Sequence, residues 1–506
     1  MYIVECVRGC FFVQNAGGIF CPTPLQSPFF CDILNGGQYY NERVCIMAQK
    51  IKRVRDLTNG SPMKLILGFM LPLLLGMLFQ QLYNMVDTII VGRYIGVDAL
   101  AGVGSTGSIN FLVIGFVLGL CTGFAIPVAQ MFGCKNYDDL KKYVGNTIWV
   151  AVFFAVILTT LTCIFCSKIL HLMKTPDDVF YKAYNYIFVI FLGIPATFLY
   201  NTLSGFIRSL GDSKTPLIFL VISSLLNVAL DIFMIVVLQW DVAGAAWATV
   251  ISQLVSGILC LVFIIKKFDI LHLGKNELKP DFYYIGRLCG IGLPMGLQYS
   301  ITAIGTILMQ SAVNSLGAVS MASVTAGMKV SQLLCCPIDA MGSTMATYGG
   351  QNIGAGKPDR VKKGLFSCSL LGIAWGVIAF GIVALFGRQL VMMFIDKNDE
   401  AAADNLETII TLGRQFLLTN AAFYVPLAFV NIVRFLIQGM GFSQFALFAG
   451  VFELVARGFV ALAAVPKFGF TGVCFANPAA WVLADMFLFP AFFICYNHVR
   501  KRTGNG

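Results

Sequence analysis

Residues 65–92 read LILGFMLPLLLGMLFQQLYNMVDTIIVG, an apolar run carrying one charge, Asp87. About 20 apolar residues span the hydrocarbon core of a bilayer, so the run is membrane-length. An ionisable side chain at that depth is unfavourable by roughly 3 kcal/mol or more. Where one persists, it usually marks an ion or substrate pathway.

The rest of the chain has the same character. It is 506 residues long, 58% hydrophobic and only 12% charged, with a mean hydropathy of +0.80. Soluble domains carry about 25% charge. Long unbroken apolar runs specify helices, because the strands of a membrane barrel alternate between apolar and polar residues. The expected fold is therefore all-α and integral to the membrane. Twelve spans are read at about 63–92, 99–128, 144–166, 180–207, 216–239, 243–265, 287–310, 321–348, 364–386, 408–437, 444–466 and 471–496.

Sixteen cysteines show no paired CxxC spacing. Five of them (Cys6, Cys10, Cys21, Cys31 and Cys45) precede the first span, and most others lie in apolar runs as small core residues. Residues 1–46 have neither a basic region leading into an apolar core nor membrane-length hydrophobicity. They are expected to be a disordered extension or an over-long gene start. Met47 opens the basic stretch MAQKIKRVRDLTNGSP ahead of the first span, and residues 1–62 form the N-terminal extension.

The net charge of +10 is distributed by topology and gives no nucleic-acid signal. With the N-terminus in the cytoplasm, the inner segments hold Lys50, Lys52, Arg53, Arg55 and Lys64, then Lys135, Lys141 and Lys142, then Arg208 and Lys214. Lys266, Lys267, Lys275, Lys279 and Arg287 follow, then Lys357, Arg360, Lys362 and Lys363, and finally Arg500, Lys501 and Arg502. The outer loops hold far fewer, so both termini are placed in the cytoplasm by the positive-inside rule.

The two halves repeat. A shift of 221 sets Gln130 on Gln351, Gly96 on Gly317 and Lys141 on Lys362. Leu71-Pro72 lies one residue off that register from Leu293-Pro294, and Arg208-Ser-Leu-Gly211 parallels Gln438-Gly-Met-Gly441. Each copy has an even number of spans, so both enter the membrane in the same direction. The expected architecture is two six-helix lobes, 63–265 and 287–496, joined by a polar linker at 266–286 and facing a central cleft, with a tail at 497–506.

In the first half only Asp87 and Asp231 lie deep in spans. Asn227 and Asp231 share a helix face. At 1.5 Å per residue, Asp231 is about 13 Å and Thr249 about 12 Å from the outer ends of their helices, and Asp87 falls at about 8–16 Å. Tyr83 lies one turn below Asp87. Two carboxylates at one level suit a cation or a shared proton, since close carboxylates do not both ionise comfortably. Local hydrogen bonds tying helices together are the competing reading. Pro72, on the same helix as Asp87, marks a hinge or a static kink.

In the second half Glu453 and Arg457 are spaced to pair. Asp339 falls mid-span, and the seventh span, 292–305, has no acid. Asn201 and Gln298 are further polar candidates for lining a cavity. Three scattered histidines (His171, His272 and His498) offer no metal site. The fragment Gly354-Ala-Gly-Lys357 is followed by Pro358 rather than the Ser or Thr of a phosphate loop. An enzyme or a primary pump is thereby disfavoured.

Four motifs, in this order across twelve spans, are similar to those of the multidrug and toxic compound extrusion (MATE) transporters over about residues 60–500. They are Tyr-Asn-Met-Val-Asp-Thr-Ile-Ile-Val-Gly at 83–92, Arg-Ser-Leu-Gly-Asp-Ser-Lys-Thr-Pro at 208–216, Asn-Val-Ala-Leu-Asp at 227–231 and Val-Ala-Gly-Ala-Ala-Trp-Ala-Thr at 242–249. The resemblance implies a V-shaped pair of six-helix bundles that exports organic, often cationic, compounds in exchange for ions. It places ion coupling on Asp87, Asn227, Asp231, Thr249 and Tyr83, with Asn201 nearby, and bending on Pro72. The missing acid in span seven is closer to the DinF-like branch. Protons are the favoured coupling ion and sodium the alternative, with no cofactor. Small organic molecules and the lipid bilayer are the expected partners, and the chain is expected to be monomeric. A flippase for lipid-linked oligosaccharides of related architecture is the competing function.

Overall fold

The computed structural model describes residues 6–7, 10–11, 56–173, 175–395 and 405–503. The expectation for residues 1–46 lies outside these, apart from a two-residue antiparallel pairing of β1 (Cys6–Val7) with β2 (Cys10–Phe11). The remaining regular structure is helical.

The first half contains α1 (Pro62–Tyr94), α2 (Val97–Ser105), α3 (Gly107–Gly133) and α4 (Tyr137–Leu172). It continues with α5 (Asp177–Leu192), α6 (Ile194–Ser209), α7 (Lys214–Ile232) and α8 (Asp241–Lys267). The second half contains α9 (Phe282–Asn314), α10 (Ala318–Gly354), α11 (Pro358–Met392) and α12 (Leu406–Ala422). It ends with α13 (Tyr424–Gly439), α14 (Ser443–Phe459), α15 (Val465–Phe468) and α16 (Phe470–Arg502).

Ten helices are long and apolar enough to cross a membrane, and the bent pairs α5/α6 and α12/α13 raise the number to twelve if each pair is one span. These pairs bend by 46° and 50°. Pro195 and Pro426 fall just after the two breaks, where a proline ring clashes with the carbonyl one turn back. The sequence reads each pair as a single apolar run because its composition does not change at the bend. By contrast, α1 runs unbroken through Pro72. Single π-helical turns occupy Phe233–Val237, just after Asp231, and Val460–Ala464, just after Arg457.

The two halves exchange the beginnings of their first helices. Ile66, Phe69, Met70 and Leu73 recur at i, i+3, i+4 and i+7 on α1, and all are buried in the core formed by the second half. Ile90 and Val91, at the other end of the same helix, belong to the core of the first half. Reciprocally, Tyr284 and Leu288 at the start of α9 are buried in the first-half core. Tyr284 Oη donates to Asp139 Oδ1 at 2.7 Å, and the Asp281 amide donates to Asn146 Oδ1 at 2.7 Å. Pro72 and Pro294 sit along the stretches where each helix passes between cores.

α3 and α9 form the most extensive helix–helix contact in the molecule. Gly119 and Gly123 on α3 face Gly292 and Gly296 on α9 so closely that a Cβ on either α3 glycine would overlap the opposing backbone. Two GxxxG stripes thus let the backbones touch, which in lipid favours association through packing rather than through release of water.

Lys135 and Lys357 follow α3 and α10, Lys266 and Lys267 close α8, and Arg500, Lys501 and Arg502 close α16. We call these helix ends the basic side. Here the halves are joined by Gln130 on α3 and Gln351 on α10, the residues that the internal repeat superimposes. Gln130 Nε2 donates to the Gly439 carbonyl at 2.9 Å, and Gln351 Nε2 donates to the Ser209 carbonyl at 2.8 Å. Ser209 and Gly439 are themselves repeat equivalents. A Cβ on Gly133 would strike the Gln351 carbonyl, and one on Gly354 would strike the Gln130 carbonyl.

The chain just before α1 is docked onto this junction. The Leu57 amide donates to Gln351 Oε1 at 3.0 Å, and the Leu57 side chain is fully buried. Lys357 Nζ donates to the Thr58 carbonyl at 3.1 Å. Partial burial works against ionised Asp56. Hydrogen bonds from Thr58 and Asn59, with Lys357 nearby, nevertheless hold its carboxyl below the ordinary carboxylate value.

Candidate functional site

Asp87, near the end of α1 remote from the basic side, faces Asp231 on α7 at interaction distance. Asp231 is fully buried. Among the described residues, neither Asp231 oxygen nor Asp87 Oδ1 has a hydrogen-bond partner, and no Lys, Arg or His forms an ion pair with either acid. Two facing carboxyls without a cation are hard to keep doubly ionised, so the arrangement favours a shared proton or a bound cation.

The other first-half candidates surround this pair. Tyr83 lies within electrostatic reach of both acids. Asn227 Nδ2 is 3.5 Å from Thr249 Oγ1, and Asn227 Oδ1 is buried without a donor. Tyr83, Asn201, Asn227 and Thr249 line one cavity between α1, α6, α7 and α8. Its wall also carries Gln80, Thr197, Ser252 and Gln253, with Thr197 Oγ1 donating to Gln253 Oε1 at 2.7 Å. The cavity is therefore a polar chamber beside the acid pair. Asn201 spends its amide on the Thr197 carbonyl at 2.8 Å and presents its carbonyl oxygen.

Tyr186 on α5 is buried against the same group and feels Asp87, Tyr83 and Asp231. Sequence reasoning missed it because α5 holds several aromatics with nothing to single one out. The serines and Gln253 were passed over for a similar reason, since an isolated Ser or Gln in a span carries no pattern.

The remaining two candidates lie elsewhere. Gln298 on α9 is buried and accepts a 2.6 Å hydrogen bond from Gln438 Nε2. It joins helices within the second half and does not line the first-half cavity. Asp339 lies on the solvent-accessible face of α10, within electrostatic reach of Tyr299.

The second half handles its charge differently. Glu453 pairs with Arg457 at 3.4 Å and also accepts a hydrogen bond from Arg434 on α13. Asp485 on α16 lies within reach of Arg434 and Glu453. Glu453 is thus engaged by two guanidiniums, while Asp485 Oδ1 has no hydrogen-bond partner among the described residues. The i,i+4 spacing located Glu453 and Arg457, but the third helix supplying Arg434 had no sequence signal. Arg457 also lies against Gly305 of α9, in the span that carries no acid.

Many membrane-spanning helices, a polar chamber and an isolated acid pair define an integral membrane transporter. A family model described as MatE matches residues 72–233 and 294–462, one block in each half. The "Probable multidrug resistance protein YoeA" of Bacillus subtilis is 30% identical over 360 residues, covering 70% of this chain and 78% of that protein. The "FAD transporter" of Shewanella oneidensis is 21% identical over 335 residues, covering 65% and 74%. A solved structure described as an "Outward-facing conformation of a multidrug resistance MATE family transporter of the MOP superfamily" matches the fold with a TM-score of 0.81, at 21% identity, over 89% of this chain and 99% of that one. The chain belongs to the MATE family of membrane transporters.

Proposed function

We propose that the protein is a secondary active antiporter that exports small organic compounds, often cationic ones, in exchange for protons, with sodium as the alternative ion. The supporting observation is the contrast between the halves. Asp87 and Asp231 face each other with no countercharge, whereas Glu453 in the second half is engaged by both Arg434 and Arg457. The first pair is two facing carboxyls whose charge a single arriving cation can reset. Tyr83, Asn227 and Thr249 order the pair and connect it to the polar chamber, and Pro72 serves as the bending point of α1. The multidrug name of the relative YoeA supports organic cargo. The excess of Lys and Arg on the basic side supports a cell-membrane location with both termini cytoplasmic. Closure of the halves on that side then suits a state open to the outside.

Expression in a host lacking its own efflux systems should lower accumulation of cationic dyes. Asp87→Asn and Asp231→Asn should each abolish this while the protein still inserts. Dissipating the proton gradient alone, then the sodium gradient alone, names the ion. Continued export by the double variant would refute the coupling site. A second reading, a flippase for lipid-linked oligosaccharides, draws support from one cation, Arg208, in the seam between the halves. It calls for no dye export and for rescue of a cell-envelope defect.

A further inference from the structure

Just above the glutamine junction, an opening lies between the halves, lined by α3, α6, α9, α10 and α13. Its polar side chains, a guanidinium and five hydroxyls, can all donate hydrogen bonds. Arg208 reaches it from the end of α6, and Tyr299, Ser343 and Thr347 reach it from the second half. Ser343 and Thr347 are one turn apart on α10 and share a face. None of these four side chains has a hydrogen-bond or ion-pair partner among the described residues, and no carboxylate lines the opening. The two other hydroxyls are committed, Ser209 to the Ala125 carbonyl at 2.7 Å and Thr122 to the Leu118 carbonyl at 2.8 Å. Asp339 lies one turn of α10 away from Ser343, toward the side remote from the basic face, and Tyr299 sits between the fields of Asp339 and Arg208. The neighbouring Arg434 is already engaged by Glu453.

A guanidinium with three free hydroxyls and no competing acid is a receptor for a planar or tetrahedral oxyanion. From this geometry we infer that the opening binds an anionic group, carboxylate or phosphate, carried by the transported molecule. The inference rests on the transporter reading above. It adds that cargo can be amphoteric, with its anion at Arg208 and a cationic or donor group near Asp339. The donors come from both halves, so separating the halves on the basic side would dismantle the site and release the anion there.

Two matched probe pairs test this on the purified full-length protein: rhodamine B against its ethyl ester, and flavin mononucleotide against riboflavin. Fluorescence titration should show the anion-bearing member of at least one pair, rhodamine B or flavin mononucleotide, binding roughly 10-fold more tightly, the scale of a charge-assisted hydrogen bond. A preference in the rhodamine pair alone identifies a carboxylate site, and one in the flavin pair alone a phosphate site. Arg208→Gln should abolish the difference within the pair, Arg208→Lys should restore part of it, and the double variant Ser343→Ala/Thr347→Val should reduce it about 3-fold. No preference in either pair, or an equal loss for both members in Arg208→Gln, overturns the inference. If Arg208→Gln does not yield folded protein, the hydroxyl double variant decides, and an undiminished preference there overturns it. Asp87→Asn separates the two readings. It should keep the binding preference while losing export. Export that survives refutes the coupling site alone, and Asp87-dependent export without any anion preference refutes the pocket alone.

Discussion

Gln130 and Gln351 bind the two halves by reciprocal hydrogen bonds, each donating to a main-chain carbonyl of the opposite half, Gly439 and Ser209, which the repeat superimposes. The symmetry is kept in their surroundings, where Gly133 and Gly354 give each glutamine's backbone room to approach.

Removing one buried partner costs about 1–3 kcal/mol. Gln130→Ala with Gln351→Ala should therefore shift the halves toward separation on the basic side by at least about 10-fold. A Ser343→Cys reporter in a background without other reactive cysteines reads this as faster labelling by an impermeant maleimide applied to that side. Gly133→Ala or Gly354→Ala should act in the same direction. Unchanged labelling would show that the bonds do not hold the closure.

The two charge clusters should respond oppositely to neutralisation. Glu453→Gln leaves Arg434 and Arg457 buried without their acid, a change expected to cost about 3–5 kcal/mol. Asp231→Asn relieves an uncompensated pair and should leave stability equal or higher. Thermal unfolding of detergent-solubilised protein separates the two.

The α3–α9 crossing should be intolerant of side chains. Gly119→Ala and Gly123→Ala should lower the melting temperature markedly, because the helix backbones must move apart. Gly104→Ala meets nothing within 4 Å and serves as the control. It should be neutral or raise stability by about 0.5–1 kcal/mol through helix propensity.

Leu57→Ala should destabilise by about 2–5 kcal/mol, as for other large-to-small core changes. The docked segment should also respond to acid. The Asp56 carboxyl is held below the ordinary carboxylate value, so its contribution is complete above the ordinary carboxylate range and is lost as pH falls through the lowered value. Asp56→Asn should remove that acid dependence from the melting profile and leave the profile above pH 5 flat.

The fold was largely legible because apolar run length and loop charge are properties of single segments. Asp87, Asp231 and Thr249 could be placed at one level, with Tyr83 and Asn227 a turn away, because helical rise converts sequence distance into depth. Their azimuth, and hence who faces whom, was not available. That is why Gln298, equally polar and equally central, turns out to bind Gln438 inside the second half. The bends at Gly193 and Phe423, the guanidinium of Arg434 and the hydroxyls around Arg208 depend on which helices become neighbours, a relation that a one-dimensional pattern does not encode. The glutamine pair stood out in the repeat alignment, but its bonds arise only once the halves meet.

The exchanged beginnings of α1 and α9 bear on how the molecule is made. The first-half core stays unfinished until Tyr284 and Leu288 have left the ribosome, and the residues around Leu57 wait longer still for the helices they insert between. A gene cut within 266–286 would therefore yield two fragments, each lacking a piece of its own interior, and only their co-expression would supply what each one misses.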